Sequence, residues 1–234
     1  GMFPAKTIEP SSSLIDKIVL TKGSSFSFKM ATGNNNADPG NSFTVGISFN
    51  TSTGLADLCS AALISPTYIV TAAHCVTDTS GNRFSNYIFT APGAKLDDPI
   101  NSTTQPKILG ITVPDAYLNE STSEQNDIAF IKLDRPLVSK GFIRAATEKE
   151  ITELEQNTLL NGYGFGAVYE TGATYSTVPR TYKLNWSNND LGKLTTFQLS
   201  STNAVGCSGD SGGPITVKLK SGEEVLIATL HSAA

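Results

Sequence analysis

The chain has 234 residues, enough for one large or two small hydrophobic cores. Charged residues make up 16% and hydrophobic residues 39% of it, which is a globular rather than a disordered composition. The net charge of −4 gives no electrostatic reason to expect nucleic acid or an anionic membrane as a partner, and no apolar run approaches the ~20 residues that a membrane helix needs.

Residues 1–40 have mostly loop-like composition, with short apolar runs at 17–20 and 25–28 that are candidate strands. We interpret this stretch as a weakly organised lead-in and as a candidate propeptide. From residue 43 the chain becomes a succession of short strand-like runs separated by Asn, Gly, Pro and Asp, a pattern typical of a β-barrel or a sandwich. The first predicted strands occupy residues 43–49, 60–64, 68–71, 87–90, 107–113 and 128–133.

One helix is predicted, at residues 147–157. Thr147 and Glu150 have the spacing of a capping box, and Ile151 and Leu154 form a narrow apolar stripe. Strand-like runs resume after it, at residues 158–160, 167–169, 181–186, 194–200, 214–219 and 225–230. We place a division near residue 140, which gives two units at residues 41–140 and 141–234.

The strongest candidate for chemistry is the segment Gly206-Cys207-Ser208-Gly209-Asp210-Ser211-Gly212-Gly213-Pro214. Glycines around one serine permit backbone angles that other residues avoid. That freedom lets the N–H groups of Gly209 and Ser211 converge on one point, as in an oxyanion hole. A bare Gly-x-Ser-x-Gly fits an ordinary glycine-rich turn equally well, whereas the full string favours a nucleophilic serine.

A histidine follows the apolar run at 68–70, in Thr71-Ala72-Ala73-His74-Cys75. A serine hydroxyl becomes a good nucleophile when a base takes its proton, and imidazole titrates near neutral pH. The chain has two histidines, and the other, His231, lies near the C-terminus. If Ser211 is an activated nucleophile, His74 is therefore the leading base.

Asp127 opens a run of mostly apolar residues at 128–133. A carboxylate buried beside an imidazole holds the imidazole in one tautomer and stabilises its cation. Taken alone, an aspartate before a strand is more often a cap or a turn residue.

These three segments resemble the trypsin/chymotrypsin family of serine proteases, whose triad also runs His, Asp, Ser along the chain. The resemblance extends over residues 43–234, and Asn161-Gly162-Tyr163-Gly164 resembles the family's glycine–aromatic–glycine turn at the start of its second barrel. It implies an all-β fold of two six-stranded-type antiparallel β-barrels. It also implies a secreted serine endopeptidase that forms an acyl-enzyme through His74, Asp127 and Ser211.

The resemblance also assigns the cysteines. Cys59 and Cys75 match the family's disulfide beside the catalytic histidine, which implies an oxidising compartment, extracellular or periplasmic. Cys207 resembles a cysteine whose partner lies, in the family, beyond the position of Ala234. It is therefore either a free thiol or paired outside this chain.

In the family, more chain follows the position of Ala234 and supplies the far wall of the specificity pocket, a last strand and a helix. We therefore expect the second barrel to be incomplete. This leaves a second interpretation open, a catalytically impaired protease homologue that acts as a binding or interaction module.

The resemblance places Val205 at the base of the primary specificity pocket. Because valine cannot pair with a cation, we expect a preference for apolar or small residues over Lys or Arg. Ser232, Ala233 and Ala234 resemble the segment that pairs with the substrate backbone, and Ser232 is expected to support Asp127. We expect a monomer with a protein or peptide substrate, without cofactor, metal, nucleic acid or membrane partner.

In the family, a newly cut N-terminus forms an ion pair with the aspartate before the nucleophile, here Asp210. The candidate N-terminus, Ile18-Val19 after Lys17, lacks the family's glycines, and we favour an ordinary strand at that position. Asp210 is then satisfied by another group, or the chain is an unactivated precursor.

Overall fold

The computed structural model describes residues 25–28, 36–37, 41–94, 104–123, 126–165, 178–186, 196–197, 200–201 and 211–233. Two short strands come from the lead-in, β1 (Ser25–Phe28) and β2 (Asn36–Ala37). The first coincides with the run predicted at 25–28. The strands predicted at 17–20 and 167–169 lie outside the described residues.

A six-stranded antiparallel sheet contains the strands predicted before residue 140, each within a few residues of its expected bounds. Its strands are β3 (Thr44–Asn50), β4 (Ala56–Ser65), β5 (Tyr68–Thr71), β6 (Ser85–Thr90), β7 (Ile108–Thr112) and β8 (Ala129–Leu133). They are ordered β6-β3-β4-β5-β8-β7. Gln105 lies just before β7, and its side chain connects the two outer strands. Its amide nitrogen donates to the carbonyl of Phe89 in β6, and its amide oxygen accepts from the backbone N–H of Phe89.

A second sheet of eight strands contains the rest. It adds β9 (Leu159–Gly164), β10 (Arg180–Asn185), β11 (Thr196–Phe197), β12 (Ser200–Ser201), β13 (Pro214–Lys218) and β14 (Glu224–Ala233). The order is β11-β1-β14-β13-β9-β10-β12, and β2 pairs with β10. The two sheets confirm the predicted all-β class. Among the described strands, β1 departs from antiparallel pairing, because it runs parallel to both β11 and β14.

Strand β8 shows how the two halves join. Successive side chains of a strand point to opposite faces, so a strand buried on both faces reads as a continuous apolar run. Ile128 and Phe130 pack into a core that includes Trp186 of the second half, while Ile131 packs with Ile69 inside the first sheet. Asp127 immediately precedes Ile128, so its carboxylate lies next to the seam between the two cores.

The predicted capping box is present but the helix is shorter than predicted. Thr147 accepts from the backbone N–H of Glu150 and the Glu150 side chain accepts from the backbone N–H of Thr147, at the start of helix α1 (Glu148–Thr152). The helix was predicted to continue to Asn157, but that residue has a φ of 65°, outside the helical region. No helix within the described part of the chain is long and apolar enough to cross a membrane.

The segment Asn161-Gly162-Tyr163-Gly164 lies inside β9, so its expected assignment to a turn is wrong. Gly162 pairs with Tyr182 of β10. A Cβ atom on Gly162 would lie 2.1 Å from ring atoms of Tyr182. A glycine is therefore required at position 162, because the Tyr182 ring on the neighbouring strand leaves no space for a side chain. A sequence motif cannot reveal this contact.

Candidate active site

His74 lies in a short 3-10 turn, Ala73–Cys75, directly after β5. The next residue, Cys75, forms the predicted disulfide with Cys59 of β4, which confirms the pairing. The turn is thus attached covalently to the neighbouring strand, and the backbone of His74 cannot move far from it. The imidazole itself is partly exposed, with 39% of its side-chain surface accessible.

Asp127 is the partner of that imidazole. Its side chain is only 1% exposed. One carboxylate oxygen, Oδ1, accepts from the backbone N–H of His74 at 2.8 Å, and the other, Oδ2, contacts Nδ1 of the His74 ring at 2.5 Å. The structure therefore brings together two of the three predicted catalytic residues, and two separate contacts fix the ring relative to the carboxylate.

A second imidazole reaches the same carboxylate, and the sequence analysis did not predict it. Nδ1 of His231, from β14, also contacts Oδ2 of Asp127. The His74 and His231 rings lie edge to face, with centroids 5.6 Å apart. The sequence signal that could have indicated this contact is the small number of histidines. The chain has two, and both contact Asp127.

These contacts determine the charge state of the site. Burial alone would raise the pKa of Asp127, but the charge of His74 and the hydrogen bonds from both imidazoles lower it well below its usual range. Burial alone would lower the pKa of His74, but the charge of Asp127 and its hydrogen bond raise the pKa above 6.5. Because an ionised carboxylate can only accept hydrogen bonds, each Nδ1 that contacts Asp127 carries a proton. In neutral His74 the acceptor is then Nε2.

His74, Asp127 and His231 also form a set of metal-type donors, with ligand atoms within 4.8 Å of one another. Two ligands bound to one tetrahedral zinc ion lie about 3.3 Å apart, given metal–ligand distances of about 2.0–2.2 Å. The 2.5 Å between His74 and Asp127 is the separation of a hydrogen bond. A second set, Cys59, His74 and Cys75, has its two sulfur atoms in the disulfide.

Ser211 lies beside the turn that carries His74. Its carbonyl accepts from the backbone N–H of Ser60 in β4 at 2.8 Å, and Sγ of Cys75 lies 3.6 Å from the same carbonyl. The Ser60 hydroxyl in turn accepts from the N–H of Phe165, at the end of β9. Ser60 thus connects the predicted nucleophile to both halves. Within the described residues, the structure gives no hydrogen bond between the Ser211 hydroxyl and His74.

Gly212 shows how tightly this segment is enclosed. Its φ is +82°, and a Cβ atom there would lie 2.1 Å from Oγ1 of Thr71 and 2.4 Å from the carbonyl oxygen of Ser60. Its N–H donates to the carbonyl of Leu230 in β14 at 2.7 Å. Only glycine satisfies both the backbone angle and the space. The residue after Ser211 is therefore held between β5 of the first sheet and β14 of the second.

The remaining predicted site residues are described only in part. Gly209, Val205 and Ala234 lie outside the described residues. Ser232 and Ala233 are described as backbone, and they pair with Ser27 and Phe28 of β1.

Ser232 was expected to support Asp127. The side chain that the structure places on that carboxylate is His231, one residue earlier in β14.

Two β-sheets with a histidine–aspartate pair at their seam, and a serine followed by glycine beside it, have the arrangement of a serine-protease-type β-protein. The family model described as Trypsin matches residues 31–230, so this chain belongs to the trypsin family. The matched range begins earlier than the resemblance predicted from the motifs and ends just before His231.

Curated relatives agree with this assignment. The chain is 32% identical over 165 residues to Brachyurin of Leptuca pugilator, which covers 67% of this chain and 70% of that protein. It is 31% identical over 219 residues to Serine protease 7 of Drosophila melanogaster (82% and 55%), and 31% identical over 182 residues to Trypsin of Phaedon cochleariae (70% and 66%). The chain thus spans 55% to 70% of these relatives. The names Serine protease 7 and Trypsin support a function of the serine-protease type.

Proposed function

We propose that this chain is a serine endopeptidase that hydrolyses peptide bonds through an acyl-enzyme on Ser211. The observation that carries the proposal is the buried carboxylate of Asp127, which accepts from both the backbone and Nδ1 of His74. That arrangement fixes the tautomer in which Nε2 is the basic atom. It also stabilises the imidazolium that forms when Nε2 takes a proton.

The reaction then proceeds in two similar steps, acylation and deacylation. His74 takes the proton of the Ser211 hydroxyl as its oxygen attacks the scissile carbonyl carbon, and the C–N bond breaks when His74 returns the proton to the leaving amine. Water, activated by His74, then attacks the acyl carbon and releases Ser211. We assign the N–H groups of Gly209 and Ser211 to the oxyanion that forms in each step. Loss of one such donor costs about 10²–10³ in rate.

The proposal requires the Ser211 hydroxyl to reach Nε2 of His74 when substrate is bound. Catalytic hydrogen bonds are often long without substrate and shorten in the complex. The backbone contacts of Ser211 with Ser60, and of Gly212 with Leu230, support this role, because they hold the serine beside the His74 turn. The enclosed Gly212 adds to that support by limiting the positions that the serine can adopt.

We propose that the substrate is a protein or peptide with an apolar or small residue before the scissile bond. The family resemblance assigns Val205 to the pocket base, and we base this preference on it, since valine would offer no counter-charge to a buried Lys or Arg side chain. The backbone of Ser232 and Ala233, with Ala234, would pair with the substrate as an added strand. In the structure β1 pairs with Ser232 and Ala233, so a substrate on that edge must displace it.

The position of β1 supports our proposal that residues 1–40 act as a propeptide ahead of units at 41–140 and 141–234. We also propose that the protein works outside the cytoplasm, as a monomer. The Cys59–Cys75 disulfide supports this location, because disulfides persist in oxidising compartments.

The test is steady-state hydrolysis of a panel of peptide amides and esters that differ only in the residue before the scissile bond. The expected result is turnover of substrates with apolar or small residues, little turnover after Lys or Arg, and loss of turnover in Ser211→Ala and His74→Ala. Preferential cleavage after Lys or Arg would overturn the specificity. A folded protein that binds these peptides but hydrolyses none would instead support the impaired homologue.

A further inference from the structure

In the described part of the chain, the carboxylate of Asp127 has three hydrogen-bond donors. The backbone N–H of His74 donates to Oδ1, while Nδ1 of His74 and Nδ1 of His231 both lie against Oδ2. A buried charge is tolerated when hydrogen bonds replace the water it has lost. With Asp127 only 1% exposed, these donors provide much of that replacement.

The three donors come from two separate parts of the fold. Both His74 donors belong to the turn after β5, in the first half. His231 belongs to β14, in the second half, where the neighbouring Leu230 exchanges hydrogen bonds with Gly212 and Gly213. His231 is therefore attached to the same strand segment that holds the residues following Ser211. A bond from this strand to Asp127 fixes the His74–Asp127 pair relative to the Ser211 segment.

We propose that His231 is a positioning residue for this reaction, and that it acts through an Nδ1–H that it donates to Asp127. The effect on kcat rests on the proposed function. The hydrogen bond from Nδ1–H of His231 to Asp127 can be tested without any activity. Without that donor, Asp127 would lose one of the two bonds on Oδ2. Among the described residues, the carboxylate would then be held only by the two His74 donors, and no bond from β14 would fix the His74–Asp127 pair relative to the Ser211 segment.

Asparagine provides the matched variant. Its Nδ2 lies at a position similar to Nδ1 of histidine and donates a proton, but the amide does not titrate. His231→Asn therefore keeps the donor, and His231→Ala removes it. A hydrogen bond to a charged group contributes more than a neutral one, so we expect His231→Ala to lower kcat by roughly 10- to 100-fold. We expect His231→Asn to stay within about threefold of the unmodified protein.

A spectroscopic measurement tests the donated proton without requiring activity. The chain has only two histidines, so labelling histidine with ¹⁵N gives signals from His74 and His231 alone. We expect two low-field Nδ1–H resonances in the unmodified protein, and one in both His231→Asn and His231→Ala. A single low-field resonance in the unmodified protein, unchanged in the variants, would overturn the inference.

Two kinetic results would contradict the positioning role of His231. Equal kcat in all three proteins would show that the His231 bond does not position the site. Equal loss in both variants, with unchanged unfolding midpoints, would show that the ring is needed for something other than its Nδ1–H. If instead the unmodified protein is inactive but shows both resonances, the proposed function fails while the His231 bond stands.

Discussion

The backbone N–H of Ser60 donates to the carbonyl of Ser211 at 2.8 Å, which joins a strand of the first sheet to the predicted nucleophile. The same residue accepts from Phe165 through its hydroxyl and from Thr71 through its carbonyl. Ser60 is fully buried, so these bonds are sheltered from water. The position of Ser211 is therefore set by the packing of both halves as well as by its own glycine-rich segment.

Replacement of Gly212 by alanine is predicted to be strongly destabilising. The new Cβ atom would lie 2.1 Å from Oγ1 of Thr71 and 2.4 Å from the Ser60 carbonyl oxygen, in a backbone with a φ of +82°. Gly54→Ala is the matched control, because Gly54 has a φ of +83° but nothing within 4 Å of the added atom. The control should lose about 1–2 kcal/mol from backbone strain alone, and Gly212→Ala distinctly more. Urea unfolding measures both, and equal losses would contradict the enclosure of Gly212.

Activity is predicted to fall as the solution is acidified, with a midpoint above pH 6.5. The base form of His74 is neutral, and its pKa is raised above 6.5 because the charge and hydrogen bond of Asp127 outweigh the opposing effect of burial. Acid therefore protonates His74 earlier than it would an isolated imidazole. In Asp127→Asn the midpoint should move to lower pH and kcat should fall by about 10⁴-fold. A pH profile of kcat/KM checks this, and a midpoint that Asp127→Asn leaves unchanged would count against the pairing.

Loss of the Cys59–Cys75 disulfide is predicted to lower stability by about 3 kcal/mol, the loop-closure value for a loop of this size. The two cysteines are 16 positions apart and the bridge attaches the His74 turn to β4. The comparison is between Cys59→Ser/Cys75→Ser and Cys207→Ser in urea unfolding. A double variant as stable as the Cys207 variant would show that the bridge adds nothing to folding.

Removal of the lead-in is predicted to improve substrate binding. Strand β1 pairs with residues 229–233 of β14, which includes the backbone of Ser232 and Ala233 proposed to bind substrate. Deletion of residues 1–40 should therefore lower KM by about tenfold, which corresponds to the net contribution of one or two hydrogen bonds. Deletion of residues 1–24 keeps β1 and serves as the control. An equal change in both deletions would assign the effect to something other than β1.

Local features of the structure were predictable because the sequence records them directly. The strand at Tyr68–Thr71 and the capping box of Thr147 and Glu150 are patterns of neighbouring residues, and both are present as predicted. The disulfide between Cys59 and Cys75 followed from the family resemblance and is also present.

Features that depend on distant parts of the chain were missed. His231 meets Asp127 across 104 positions, and its approach depends on the register of β14 against β13, which no local pattern encodes. The parallel pairing of β1 with β14 joins opposite ends of the chain in the same way. The role of Gly162 likewise became visible only with Tyr182 on the adjacent strand.

The central claim, that Ser211 is a nucleophile activated by His74, is tested most directly by reaction with a fluorophosphonate, followed by intact mass and peptide mapping. The account predicts one adduct, located on Ser211, absent in Ser211→Ala, greatly slowed in His74→Ala and retained in Ser208→Ala. A folded protein that forms no adduct, or one whose adduct persists in Ser211→Ala, would contradict it.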